Sequence, residues 1–152
     1  MTIDVATKNI IDKRWFEYPF TVFPHHTDYG GMVWHGTYLT WLEEARVELL
    51  KSTGITFADF VSIGCDTPVI DISLRYHQAL RLGDNAIVKA QVHLQGVKIK
   101  WEYKIQSVDF QTTYLSGTIT LVPLDQQKGK IIRQLPPIVK DALAKLSEYQ
   151  RL

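Results

Sequence analysis

The chain has 152 residues, close to the size of one domain with one core, and two full domains would not fit comfortably within it. Its hydrophobic fraction of 45% and charged fraction of 22% are those of a globular protein, which excludes disordered, collagenous and low-complexity classes. The 17 Lys plus Arg and 16 Asp plus Glu leave a formal charge of +1, so nothing draws the chain as a whole to nucleic acid or anionic lipid.

Cys65 is the single cysteine. An intramolecular disulfide is impossible, a Cys-rich zinc site lacks ligands, and a reducing cytoplasm is the expected location. Met1 to Arg14 interleaves Asp4, Lys8, Asp12, Lys13 and Arg14 with short apolar pairs, so no signal-peptide core is expected there. No run approaches the roughly 18 apolar residues of a membrane span.

From Trp15 to Pro24, Phe16, Tyr18, Phe20 and Val22 alternate with other residues, which predicts a first strand, placed near an edge by Pro19. A polar loop follows, His25 to Gly31. Tyr38, Trp41, Leu42, Ala45, Leu49 and Leu50 then recur at three- and four-residue steps, a helix closed near Gly54. A short helical turn is expected around Phe57 to Val61. Beyond Thr67-Pro68, Ile70, Ile72, Leu74 and Tyr76 share one face of a strand against Asp71, Ser73, Arg75 and His77. Gly83-Asp84-Asn85 and Gly96 mark reversals around two more alternating runs, Ala86 to Gln95 and Val97 to Ile105, and a last run extends from about Thr112 to Leu124. Ile138, Val139, Ala142, Leu143 and Leu146, after Pro136-Pro137, predict a C-terminal helix. Strand, long helix, four meandering strands and short helix give an α+β domain with an antiparallel sheet, each strand burying one face.

Asp28 lies in the glycine-containing loop, just ahead of the expected first turn of the most apolar helix. The first N–H groups of a helix lack intrahelical partners and sit at the positive end of its dipole, so they suit a carbonyl oxygen gaining negative charge. Gly30 and Gly31 let a ligand approach the backbone. A carboxylate beside such donors provides a base or nucleophile and an oxyanion stabiliser, the requirements of acyl transfer. An Asp before a helix is also an ordinary cap or turn residue.

The run Thr27-Asp28-Tyr29-Gly30-Gly31-Met32-Val33-Trp34-His35, with Tyr38 and Glu43-Glu44-Ala45-Arg46 after it, resembles the signature of the hotdog-fold thioesterases, in particular the 4-hydroxybenzoyl-CoA thioesterase and YbgC-like group. The resemblance covers about 15–124, and Ser73-Leu74-Arg75-Tyr76 through Leu82-Gly83-Asp84 is similar to the family's second strand and following turn. It implies a single hotdog domain over 1–152, a five-stranded antiparallel sheet wrapped around one long helix, plus the C-terminal helix. It further implies hydrolysis of an acyl-CoA thioester without metal or cofactor, coenzyme A being part of the substrate. Asp28 would act as nucleophile or base, and the backbone N–H near His35 would polarise the carbonyl. Tyr29, Gly30, Gly31, Val33, Trp34 and Tyr38 are the implied substrate-binding residues. A homodimer with joined sheets, commonly paired into a homotetramer, would carry the site at the subunit interface. Where the family has Asp, a small residue and Tyr, this chain has His26, Tyr29 and Trp34, changes that bear on the acyl group: short aliphatic, benzoyl-like or 1,4-dihydroxy-2-naphthoyl.

Other residues admit competing readings. The His35 side chain could orient substrate or shuttle a proton, or its amide alone could act. Glu43 would suit a dehydratase, or pair structurally with Arg46. A hotdog domain can also bind acyl thioesters without cleaving them. Trp34, Trp41 and Tyr29 could line an aromatic pocket, although the spacing of Trp41 is that of core. His25 and His26 make a poor metal pair, because adjacent side chains diverge. His77 and His93 read as surface, Lys98, Lys100 and Lys104 as a solvated stripe that could also attract phosphates, and Cys65 as packed and inert.

Overall fold

A computed structural model describes residues 15–151, with side chains to 150; the expectation for Met1 to Arg14 falls outside them. Strand β1 (Phe16–Thr21) leads through a 3-10 turn (Pro24–His26) to helix α1 (Thr37–Ser52) and the short α2 (Phe57–Ser62). Then come β2 (Cys65–Asp66), β3 (Val69–Tyr76), β4 (Asn85–Gln95), β5 (Lys98–Ser107), β6 (Thr113–Leu121), β7 (Leu124–Asp125), β8 (Lys130–Ile131) and α3 (Pro137–Arg151). An antiparallel five-stranded sheet runs in the order β1-β4-β5-β6-β3, and a small sheet in the order β2-β7-β8. As Pro19 requires, β1 is an edge strand.

Alternation explains the core. Ala86, Val88, Ala90 and Val92 of β4 and Ile99, Trp101, Tyr103 and Ile105 of β5 are all buried, and they meet Tyr38, Trp41, Leu42, Ala45 and Leu49 of α1. Truncating a side chain such as the buried Trp41 to alanine costs roughly 3–5 kcal/mol. Past the end of α1, Gly54 sits at φ +89°, a conformation costly for any residue with a Cβ. Thr56 and Asp59 cap α2 reciprocally: Asp59 N donates to Thr56 Oγ1 at 3.4 Å and Thr56 N to Asp59 Oδ2 at 2.8 Å. Helix α3 buries Val139, Ala142, Leu143 and Leu146 against the same core. Where β1 no longer covers β4, the Gln150 amide takes the missing strand's place. Its Nε2 donates to Val92 O and its Oε1 accepts from Val92 N, both at 2.7 Å.

Three expectations are corrected. The four later strands do not form one meander: β4, β5 and β6 do, whereas β3 lies at the far edge beside β6. The chain from 77 to 84 therefore crosses the end of the sheet to reach β4. Second, β3 does not bury one face. Ile70 and Ile72 are 51% and 47% exposed, because α1 packs mainly on β1 and β4 and leaves this edge uncovered. Third, α1 does not begin directly after Asp28; its N-cap is Gly36, and an intervening loop is held by other contacts.

Candidate active site

The loop from 27 to 35 is stapled to the crossover. Val33 N donates to Leu80 O at 2.9 Å and Leu82 N to Gly31 O at 2.9 Å, and short bridges join Thr27 to Val33 and Met32 to Arg81. Inside the loop, Gly31 N donates to Asp28 O at 3.1 Å and Asp28 N to Met32 O at 2.6 Å, with Gly31 at φ +77°. The Asp28 carboxylate is part of the fastening. Oδ1 accepts from Gly30 N at 2.9 Å and Met32 N at 3.1 Å, while Oδ2 has no partner among the described residues, and the side chain is exposed. One oxygen orients the group and the other stays available to water or substrate.

Helix α1 starts without a side-chain cap. Thr37 N turns back to Trp34 O at 2.9 Å and Leu39 N to Gly36 O at 3.2 Å, whereas the amides of His35, Gly36 and Tyr38 have no acceptor among the described residues. These are the donors an oxyanion needs. The segment is held from both sides: Tyr76 Oη donates to His35 O at 2.8 Å, and Trp34 N and Thr37 Oγ1 donate to His26 O at 3.2 and 3.1 Å. A side chain at Gly36 would collide with the Trp34 ring, which lies over it.

An aromatic cluster backs this helix start. Trp41 stacks on Phe20 at 4.1 Å, with His26 at 4.9 Å and Tyr38 at 5.7 Å, and Tyr38 meets Tyr76 at 5.2 Å. The buried Tyr38 hydroxyl accepts from Leu80 N at 3.1 Å, and burial raises its pKa. Burial, then the neighbouring His25, lowers the pKa of His26, whose Nδ1 accepts from Phe23 N at 2.9 Å. Beside these groups a cleft of about 200 Å³ is lined by Val33, His35, Tyr38, Tyr76 and His77.

The structure thus gathers Val33, His35 and Tyr38 at one cleft and adds Tyr76, which sequence reasoning missed, and His77, which is exposed as expected but lies at the cleft. Their sequence distance from the loop hid them; only the β3 position and the crossover bring them close. Asp28, Tyr29, Gly30, Gly31 and Trp34 flank this cleft's loop without lining it, and Tyr29 is fully exposed. Trp41 is core, as its spacing indicated. Glu43 does not pair with Arg46 among the described contacts: Arg46 Nη1 donates to Tyr103 Oη at 3.1 Å, because that buried phenol needs a partner. Glu43 and Arg46 instead line a second cleft of about 250 Å³ with Val47, Leu50, Phe57, Phe60 and Val69.

Contrary to expectation the His25 and His26 rings do not diverge but lie 4.0 Å apart; among the described residues no group of three His, Cys, Asp or Glu could hold a metal ion. Cys65 is buried, and burial pushes its thiol pKa up. Lys104 of the basic stripe sits 4.9 Å from the Trp15 ring. Among the described residues no helix is long and apolar enough to cross a membrane.

Residues 30–113 match the family model of the thioesterase superfamily, more than half of the chain and including the helix start and the crossover. The chain belongs to the thioesterase superfamily. This thioesterase, a thioester hydrolase, is 52% identical to the Synechocystis sp. protein sll0410, named as an esterase, over 91% of this chain and 84% of that one. It is 26% identical to the acyl-CoA thioesterase YbgC of Haemophilus influenzae over 74% of this chain and 85% of that one. A solved DHNA-CoA thioesterase from Staphylococcus aureus superimposes with a TM-score of 0.81 at 23% identity, covering 90% of this chain and 93% of that one, which establishes the shared hotdog fold.

Proposed function

We propose that this thioesterase hydrolyses acyl-CoA thioesters, with Asp28 as the reacting carboxylate and the amides at the start of α1 as the oxyanion donors. The observation that carries the reading is the division of labour on Asp28: Oδ1 is fixed by Gly30 N and Met32 N, and Oδ2 is uncommitted. As general base, Oδ2 takes a proton from water while the water oxygen attacks the thioester carbon. The C–S bond then breaks, the thiolate takes up a proton, and free acid and CoA thiol leave. As nucleophile, Oδ2 forms a mixed anhydride that water then opens. In both cases negative charge grows on the carbonyl oxygen, where the unpaired amides of His35 and Gly36 lower the barrier. The His35 ring, exposed at the cleft, is free to orient the substrate. Protein groups and water suffice for these steps. A reducing cytoplasm suits a chain whose single thiol is buried.

Thiol release from a panel of aliphatic, benzoyl-like and 1,4-dihydroxy-2-naphthoyl CoA esters tests this. Asp28→Asn keeps an oxygen to accept from Gly30 and Met32, so the loop should stay folded while turnover falls by about two to four orders of magnitude. Near-normal turnover in the folded variant would refute the role of Asp28.

We further propose that the active form is a homodimer joined through β3. An exposed edge strand is a template for pairing, and here the residues are self-complementary about Ser73. Antiparallel pairing centred there sets Ile72 opposite Leu74 on the inner face and Asp71 opposite Arg75 on the outer face, each twice, and brings Tyr76 to the bulge at Ile70. Neither Asp71 nor Arg75 has a partner among the described residues. Because Tyr76 holds His35, this register carries the helix start of one copy to Ile70 and Val69 of the other, beside the Glu43–Phe60 cleft. The cleft and the Asp28 loop of opposite copies would then share one substrate.

A further inference from the structure

At the opposite end of the sheet, the β4–β5 hairpin, β8 and the first turn of α3 border an open cleft of about 790 Å³. Lys130, Arg133 and Lys140 line it above Leu94, Val97 and Ile131. No carboxylate lines it, and none of the three cations has an ionic or hydrogen-bonding partner among the described residues. The stretch 126–140, between Asp125 and Asp141, carries Lys128, Lys130, Arg133 and Lys140 without one acidic residue, in a chain with 17 cations and 16 anions in all. Asp125 stands opposite Lys130 across the β7–β8 pair but does not line the cleft, and the like charges gathered on the cleft side attract an anion. The volume falls within the roughly 300–1,000 Å³ of small-molecule sites, and an open cleft that sets the apolar Leu94, Val97 and Ile131 beside three cations offers a small anion with an apolar part both kinds of contact.

We propose that this cleft binds a nucleoside polyphosphate group, with its phosphates held by Lys130, Arg133 and Lys140 and its base laid on Leu94, Val97 and Ile131. Arg133 can grip phosphate through two parallel donors, while the lysines act as point charges. The three cations lie outside the 30–113 match. Strands β4 and β5 separate the cleft from the Asp28 end by roughly 30 Å, at about 3.3 Å per residue. The site is therefore independent of the proposed hydrolysis, and the same chemistry is offered by a free nucleotide and by the nucleotide end of coenzyme A.

Isothermal titration of the full chain with ATP, pyrophosphate and CoA tests the assignment. ATP should bind once per chain, and pyrophosphate at least about tenfold more weakly because it lacks a base to lay on the apolar floor. Lys130→Gln combined with Arg133→Gln should weaken ATP about a hundredfold, about tenfold per cation. Lys51→Gln, outside the cleft, should leave binding unchanged, and none of these variants should alter thioester hydrolysis. Displacement of ATP by CoA assigns the site to the coenzyme's nucleotide end, and its absence to free nucleotides. No ATP binding at millimolar concentration, or equal binding by wild type and the double variant, overturns the proposal. So does capture by phosphatidylserine vesicles without nucleotide binding, which would make the face a lipid contact.

Discussion

Tyr76 Oη donates to the carbonyl oxygen of His35 across 2.8 Å, tying the edge strand β3 to the start of α1. Residues 41 apart in sequence thereby fix the backbone whose amides serve as oxyanion donors. Tyr76→Phe keeps the ring against Tyr38 and removes only the tether. Stability should fall by about 1 kcal/mol, the net worth of one hydrogen bond, seen as a small drop in Tm. Thioester turnover should fall about tenfold, equivalent to about 1.4 kcal/mol of barrier, with KM little changed. Unaltered kcat would show that His35 needs no such support.

The self-complementarity of β3 predicts a rescue pattern. Asp71→Arg alone, or Arg75→Asp alone, sets like charges opposite one another twice across the pair. Opposite charges across strands contribute about 0.2–1 kcal/mol each and like charges oppose pairing. Either single variant should therefore weaken the dimer about tenfold or more in sedimentation equilibrium, and the two together should restore it. A double variant as weak as the singles would exclude this register.

His26 introduces a pH dependence. Burial and the adjacent His25 lower its pKa below the ordinary 6.5, and the Phe23 N–H bond to Nδ1 requires the unprotonated nitrogen. The unfolded chain then binds a proton that the folded chain resists, so this contribution to stability is complete above pH 6.5 and is lost as pH falls towards the folded value. Tm of the wild type should decline as pH falls below 6.5 more steeply than that of His26→Asn, whose side-chain oxygen can accept from Phe23 without titrating. Equal slopes would clear His26 of the effect.

Much of this architecture is written in local patterns. The three- and four-residue steps from Tyr38 to Leu49 announce α1, and strict alternation announces β4 and β5, because each pattern matches the period of one regular structure facing one core. Asp28 was legible for the same reason, since glycines and a polar loop before an apolar helix signal accessible backbone. What stayed hidden depends on topology. Ile70 and Ile72 look like core because periodicity records an apolar face without recording what covers it, and in one chain nothing does. Tyr76, His77 and Leu80 reach the helix start only because the chain crosses the sheet end, a path no local window contains. Gln150 sealing β4 at Val92 is a contact of the same distant kind.

Arg46 and Tyr103 form a pair whose two deletions should differ. The phenol is fully buried, and burial outweighs the guanidinium to push its pKa up to about 12, so it stays neutral at working pH. Arg46→Met strands a buried hydroxyl without its donor, at a cost of about 1–3 kcal/mol. Tyr103→Phe removes that oxygen and leaves a partly exposed guanidinium that water can serve, so its cost should stay near 1 kcal/mol. The double variant leaves no stranded group and should lose less than the two singles together, a coupling of about 0.5–3 kcal/mol in urea unfolding. Because the phenol carries no charge, the coupling should persist when salt screens surface ion pairs. Strict additivity of the two substitutions would mean that the 3.1 Å contact contributes nothing to holding α1 against β5.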